Sequence, residues 1–456
     1  MITRTMKEVQ QMIHGSTLQG DSEVVVKGVS IDTRTIEQGN LFVPIKGEKF
    51  NGHEFVQQAI ESGAAAVLWN QSEPNVPSGI PVVLVENTLK ALQQLGKKYC
   101  EQVGVKVVGV TGSNGKTTTK DMIFSVLSTT YQVLKTEGNF NNHIGMPLTM
   151  LRLKEETEIA ILEMGMSSRG EIELLSRLAL PDVAVITNIG ESHLMDLGSR
   201  EEIAKAKMEI VSGLKKEGVL IYNGDEPLLT SQLAKSDIQG VTFGQNEQND
   251  LYPISIEQQQ QSTVFTISQA PDVTYEIPVL GVHNVQNTLA AIAVGCYFNI
   301  PFSTMAEGLK SLKLTNMRME LISSPKGFDI INDAYNASPT SMRAAISLLE
   351  NLKGYNKKII VLGDMLELGE QEKSFHYEVG RMIHPEKVDY VFAYGQLGAE
   401  IAKGAQETFE KERVYYFHDK NQLIECLASL VRSGDIVLVK ASRGMKLEEV
   451  VEALKA

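Results

Sequence analysis

Cysteine is scarce in this 456-residue chain: Cys100, Cys296 and Cys426 lie far apart and are odd in number. That excludes a disulfide framework or a cysteine zinc site and fits reduced thiols. Long basic runs are missing and the net charge is −13, which argues against nucleic acid as a main partner. An acidic protein can still bind phosphate in a local cradle. No apolar run reaches the length of a membrane span. Residues 1–14 lack the apolar core of a signal peptide. No membrane insertion is expected, and a cytoplasmic location is. No glycine is followed by another two positions on, which excludes the GxGxxG dinucleotide fingerprint. What is present is a globular composition, 43% hydrophobic, in a length that suits about three domains.

The chain is organised around residues 105–120, VKVVGVTGSNGKTTTK. The β-branched run 105–110 predicts a buried strand. A loop carrying Gly112, Ser113, Asn114 and Gly115 follows, then Lys116, Thr117 and Thr118. Apolar Met122, Ile123, Val126 and Leu127 come next at helical spacing. Strand, glycine loop and helix N-terminus form a phosphate cradle, in which loop N–H groups and the positive helix end face an anion. Lys116 adds a point charge, and the Thr117 hydroxyl can reach a magnesium ion. The usual pattern wants a glycine five residues before the GK pair; that position is Val110, and Gly109 sits one earlier. A glycine-rich turn on an α/β domain is the alternative. Three consecutive threonines weigh against it, being poor openers of a helix without a task.

Residues 1–100 predict a small α/β domain, with strands near 23–29, 41–44, 66–68 and 82–85 and helices near 53–62 and 88–102. Its polar loops carry Ser30, Arg34, Lys46, Gly47, Asn51 and His53, groups suited to a phosphate or sugar, although such loops are more often only loops. Residues 101–315 read as a catalytic core. The strand 159–162 ends in Glu163, placed as a nucleotide-site metal ligand or a solvated strand end. His193, one of eight histidines, follows the strand 183–187; alone it reads as a surface residue. Lys207 lies on a helix and by itself reads as solvated. Short β runs between 251 and 279 predict an antiparallel excursion. Residues 316–456 alternate strands with helices, which predicts a doubly wound, mostly parallel sheet.

The order of motifs is more specific than any one of them. TGSNGKTTTKD (111–121), EGNFNNHIGMPLTML (137–151), EMGMSSRGEIELL (163–175), TNIGESHL (187–194), AKAKMEI (204–210), GVHNVQNTLAA (281–291), Arg318-Met319-Glu320 and NDAYNASPTS (332–341) together resemble the Mur ligase family. VLGDMLELGE (361–370), His376 and VKASRGMKLEEVV (439–451) extend the resemblance to the end of the chain. The Asn-Pro-Arg motif of relatives that add the preceding diamino acid is absent.

The resemblance implies an α/β fold of three domains: a small UDP-binding α/β domain (1–100), a central P-loop-type, mostly parallel ATPase domain with an antiparallel excursion (101–315), and a C-terminal Rossmann-like doubly wound domain (316–456). It implies ATP and Mg2+, with UDP-N-acetylmuramoyl-tripeptide and D-alanyl-D-alanine as small-molecule substrates of a monomer. ATP would phosphorylate the tripeptide carboxylate, and the dipeptide amine would displace phosphate to form an amide. By motif, Lys116 would hold the β and γ phosphates, with Gly112, Ser113, Asn114, Gly115 and Thr118 lining the cradle. Thr117 and Glu163 would hold one magnesium. His193 and a carbamylated Lys207 would hold a second. Asn287 would meet adenine, and Arg318, Asp333 and Asn336 the γ-phosphate and ribose. Ser30, Arg34, Lys46, Gly47, Asn51 and His53 would take the UDP end, and Asp364, Ser442 and Arg443 the dipeptide. Another Mur-type or folylpolyglutamate-type amide ligase is the alternative. A GTP switch is disfavoured, because the guanine-reading Asn-Lys-x-Asp motif is missing.

Overall fold

A computed structural model describes residues 1–234 and 236–455. The chain forms three α/β units in sequence. Their sheets are ordered by where buried apolar runs fall.

The middle unit carries the site. Its sheet of six strands runs, in spatial order, Gly240–Phe243, Val219–Asn223, Val183–Ile186, Lys106–Thr111, Ile159–Glu163 and Val133–Lys135, and every pairing is parallel. Lys106–Thr111 is central because both its faces are covered: Val107, Val108 and Val110 are buried, as strands of a parallel sheet must be. From this strand the chain first builds toward Val133–Lys135, then crosses back to Val183–Ile186 on the other side. That reversal opens a crevice at the carboxyl ends of the strands, the ordinary place for a ligand in such a sheet. The antiparallel excursion is three strands, Pro253–Gln258, Thr263–Ile267 and Ala270–Ile277. Helix Val282–Tyr297 then packs along helix Lys116–Leu127, where a Cβ on Gly295 would come within 2.9 Å of Val126.

The first unit has a five-stranded sheet ordered Thr17–Gln19, Val82–Val85, Ala66–Asn70, Leu41–Phe42 and Val29–Ser30. The strand expected over 23–29 is divided. Gly28 adopts φ 74°, so Val25–Lys27 pairs with Thr3–Thr5 while Val29–Ser30 joins the main sheet. Helix Thr88–Val103 ends at Gly104 in the left-handed region. Its Gly96 leaves only 3.2 Å between a would-be Cβ and Pro147, so the helix lies directly on Gly145–Met150 of the middle unit. One apolar core, including Leu92, Leu95, Met146 and Leu162, runs through both units.

The third unit has a six-stranded sheet ordered Glu320–Ser323, Asp329–Asp333, Ile436–Lys440, Lys358–Gly363, Tyr390–Tyr394 and Val414–Phe417. Only the first pairing is antiparallel. Apolar clusters cover both faces. Its contacts with the middle unit around the crevice are polar. Glu191 accepts from Thr340 Oγ1 at 2.6 Å and from Arg343 at 3.0 Å. Ser338 Oγ donates to Asn114 Oδ1 at 3.1 Å. An apolar joint on one side and a polar joint on the other favours movement at the second.

Candidate active site

The phosphate loop is built by two glycines that no other residue could replace. Gly112 has φ 148°, and a Cβ there would fall 1.9 Å from Thr187 Oγ1. Gly115 has φ 79°, and its Cβ would meet Asn287 Oδ1 at 2.6 Å. Thr187 Oγ1 donates to Asn114 O at 2.6 Å, and Asn114 N donates to Asn188 Oδ1 at 2.9 Å. Ser113 is buried beneath Gly190. Helix Lys116–Leu127 starts at Gly115 with no side-chain cap, so its first N–H groups remain available to an anion. Lys116 Nζ donates to Gly112 O at 2.7 Å and Ser113 O at 3.3 Å. Burial draws its ammonium down to about 8; Glu163 opposes this and the Arg318 charge adds to it.

Thr117 and Glu163 meet as the strand-end reading requires. Thr117 Oγ1 donates to Glu163 Oε2 at 3.0 Å, and Asn141 Nδ2 donates to Glu163 Oε1 at 2.9 Å. Glu163 is buried, so it is no solvated strand end. Lys207 is 1% exposed, which overturns the solvated reading of that lysine, and its Nζ has no hydrogen-bond partner. Burial first, then the Lys116 charge, pushes its pKa well below the ordinary lysine value. His193 takes a left-handed backbone, φ 63°. Its Nδ1 lies 2.9 Å from Glu367 of the third unit but makes no hydrogen bond. Burial, followed by the charges of Lys116 and Lys207, lowers its imidazole to about 4. Among the described residues no three His, Cys, Asp or Glu side chains form a metal-holding group. Magnesium does not need one, since it binds through one or two carboxylates plus waters and substrate phosphates. The paired oxygens of Thr117 and Glu163 fit that kind of ion; the Lys207 amine does not as it stands, and would fit only as an oxygen-bearing carbamate.

Beside the loop lies a cavity of about 360 Å³ between the middle and third units. Asn114, Gly115, Thr118, Asn287, Arg318, Asp333 and Asn336 line it; Gly112, Ser113, Lys116 and Thr117, also expected to bind nucleotide, are not among its lining residues. Arg318 stacks over Tyr335, its guanidinium carbon 4.0 Å from the ring centroid, and its Nε is buried without a partner. Among the lining residues that were not anticipated are Lys440, Glu191 and Arg343. Lys440 is buried and donates to Asp333 Oδ2 and to Asn336 O. Glu191 and Arg343 join the two units at the rim. A signal for Lys440 existed: Asp333 and Lys440 end adjacent parallel strands in register, and opposite charges closing two apolar runs are visible in the sequence.

The first-unit residues divide into two groups. Lys46 Nζ and Asn51 Nδ2 both donate to Glu73, at 2.8 and 2.9 Å. His53 Nδ1 lies 2.8 Å from Asn51 Oδ1, and its ring meets Trp69 edge-on at 4.7 Å. Gly47 brings Phe50 over the same loop. Ser30 and Arg34 sit on a separate turn, where Ser30 Oγ donates to Asp32 O and Arg34 forms a two-pronged pair with Asp32. On the third unit, Asp364 accepts from the N–H groups of Leu397 and Gly398 at 3.0 and 2.8 Å, which occupies one carboxylate oxygen with backbone. Ser442 accepts from Leu366 N at 2.9 Å. Arg443 pairs with Glu448 at 2.9 Å and faces Tyr335.

A phosphate loop at a sheet reversal, closed over by a second α/β unit that supplies an arginine and a lysine–aspartate pair, defines a nucleotide-using enzyme of several domains. Known proteins agree. The Mur ligase middle domain matches residues 110–295, the glutamate ligase domain of Mur ligases residues 317–443, and the Mur ligase family catalytic domain residues 25–100. The chain belongs to the Mur ligase family. It is 57% identical to the UDP-N-acetylmuramoyl-tripeptide–D-alanyl-D-alanine ligase of Bacillus subtilis, over 100% of this chain and 99% of that one. A crystal structure of MurF from Acinetobacter baumannii superposes with TM-score 0.90 at 31% identity, covering 100% and 99% of the two chains. MurF ligase from Thermotoga maritima in complex with ADP superposes with TM-score 0.83 at 31% identity, covering 94% and 97%.

Proposed function

We propose that this chain is an ATP-dependent amide ligase that joins D-alanyl-D-alanine to UDP-N-acetylmuramoyl-tripeptide, making the pentapeptide precursor of peptidoglycan. The observation that carries the reading is the full-length 57% identity to a ligase of that name. The phosphate loop, Glu163 and Lys207 are intact alongside it.

The chemistry begins with a carboxylate that must attack a triphosphate, anion against anion. The chain supplies cations and oriented N–H groups to screen that repulsion. Lys116 turns from its loop carbonyls to the β and γ phosphates, and the uncapped N–H groups of helix Lys116–Leu127 face the same oxygens. Asn287 takes the adenine, Asp333 and Asn336 the ribose, and Arg318 the γ-phosphate across the cleft. Thr117 with Glu163 would hold one magnesium, and His193 with Lys207 a second. Bound there, the ions neutralise charge that develops on the transferred phosphoryl group. A neutral Lys207 amine can take up CO₂ as a carbamate, with release of a proton, and so become an anionic ligand. The resulting acyl phosphate is attacked by the dipeptide amine, and phosphate leaves as the amide forms. Ser442 and Arg443 would receive the dipeptide carboxylate. The Lys46–Asn51–His53 loop and the Ser30–Arg34 turn hold the UDP end, remote binding that orients the reacting end. In this reading residues 1–100, 101–315 and 316–456 divide the work as UDP, ATP and dipeptide domains.

Phosphate release from ATP, measured with both acceptor substrates and with each alone, tests the proposal. Turnover is expected only with both. Robust hydrolysis with neither would sink it.

A further inference from the structure

Arg318 reaches the cavity from a segment that does not hold its shape unaided. Met317 and Met319, on either side of it, have φ of 61° and 52°, a region that side-chain-bearing residues avoid. Three carboxylates pin the segment. Upstream, Asp121 Oδ2 accepts from both the N–H and the hydroxyl of Thr315, each at 2.8 Å. In the middle, Glu320 Oε2 accepts from Met317 N at 3.1 Å. Downstream, Asp333 Oδ1 accepts from Met319 N at 3.2 Å.

Asp121 does not belong to the third unit. It lies on helix Lys116–Leu127, just over one turn behind Lys116, with its side chain fully buried. Its other oxygen receives Lys135 at 2.6 Å and lies 3.5 Å from Lys120 Nζ. Lys120 Nζ is itself 4.0 Å from Glu163 Oε2, the carboxylate that Thr117 touches. Lys135 already satisfies one Asp121 oxygen. The second is committed to a linker 194 residues further along the chain, at the point where the middle unit passes into the third. A line of charged contacts therefore runs from the phosphate loop to the segment that carries Arg318.

We infer that Asp121 and Glu320 are positioning residues: they clamp the strained 315–319 segment so that Arg318 enters the nucleotide cavity, and Asp121 does so from the phosphate-loop helix itself. The inference rests on the ATP-ligase reading above. Seating of the triphosphate and placement of Arg318 then become one event, because one helix governs both.

The test uses Thr315→Val, which removes the hydroxyl donor and keeps the volume and the N–H, and Glu320→Ala. Affinity for the non-hydrolysable analogue AMPPNP with Mg2+ is measured by calorimetry in the full-length protein. Each variant is expected to lose roughly tenfold or more in affinity, the loss of one hydrogen bond to a charged acceptor. KM for ATP should rise while KM for the two other substrates holds. Thr315→Ser, which keeps the hydroxyl, should restore affinity. In an Arg318→Ala background neither change should weaken binding further, because the clamp acts through that side chain. Equal weakening with and without Arg318, or unchanged affinity in both variants, overturns the inference. Original protein that binds no nucleotide overturns the ligase reading and this inference together.

Discussion

Two side chains carry the sharpest consequences at the scale of single residues. Lys207 is a buried amine without a partner, and burial favours its neutral form, the form that the proposed carbamate needs. Lys207→Ala should lower turnover by on the order of a hundredfold or more, the scale of losing a metal-site group, and added short carboxylates should restore part of it. Full turnover in the variant removes the carbamate from the mechanism. His376 is the second. Its Nε2 accepts from Met365 N at 2.8 Å, and its Nδ1 lies 2.6 Å from the Glu372 carbonyl, so the ring is neutral with the proton on Nδ1. Burial lowers its pKa below the ordinary 6.5, the Glu372 carbonyl pulling the other way. Below that ordinary value the unfolded chain takes up the proton more readily than the folded one, so this contribution to stability is present at neutral pH and lost as pH falls. The melting temperature should drop between about pH 7.5 and pH 5.5, with a shallower slope in His376→Gln. An identical slope in both proteins would remove His376 from the account. Neither neighbourhood was readable from the sequence. Lys205 and Lys207 lie on the same helix, one exposed and one buried, and only the packing of that helix onto the apolar core through Ile203, Ala204 and Ala206 separates them.

At the scale of elements, the strand–loop–helix unit was legible because all its signals are contiguous. Val107, Val108 and Val110 announce a strand covered on both faces, and the glycines and Lys116 follow without a gap. The loop also gives a clear prediction. Gly112→Ala places a methyl against Thr187 at a backbone angle alanine resists. Overpacking of this sort costs about 1–3 kcal/mol, and nucleotide affinity should fall roughly tenfold or more, measured by titration with ADP. Wild-type affinity would mean the loop tolerates what the geometry forbids. The contacts that make the loop a site were less legible. Glu163 meets Thr117 and Asn141 across 46 and 22 residues of chain, a distance no local pattern spans. Strands Val133–Lys135, Glu320–Ser323 and Val414–Phe417 went unanticipated, as did helix Met6–Met12. Each is short, and the three strands are half-buried sheet edges, so their residues alternate too little for a period to emerge.

At the scale of the whole molecule, the two joints differ in kind. A shared apolar core fixes the first unit on the middle one, whereas Glu191, Thr340 and Arg343 hold the third by polar contacts. Glu191→Ala removes hydrogen bonds to a charged acceptor, each worth about 1.5–3 kcal/mol. The expected result is a more open third unit, seen as a larger radius of gyration in small-angle scattering and reversed by saturating nucleotide. An unchanged radius would place the restraint elsewhere. The three-unit order was foreseeable because strand–helix alternation restarts twice. The contrast between the joints was not, since it depends on which faces meet. The closeness of Asn287 to Gly115 reaches further than nucleotide binding. Because the missing methyl of Gly115 is the space that asparagine occupies, helices Lys116–Leu127 and Val282–Tyr297 behave as a yoke. A chimera that imports the 112–118 loop into another scaffold must import residues 282–297 as well, or the graft arrives with a hole where its second half belonged.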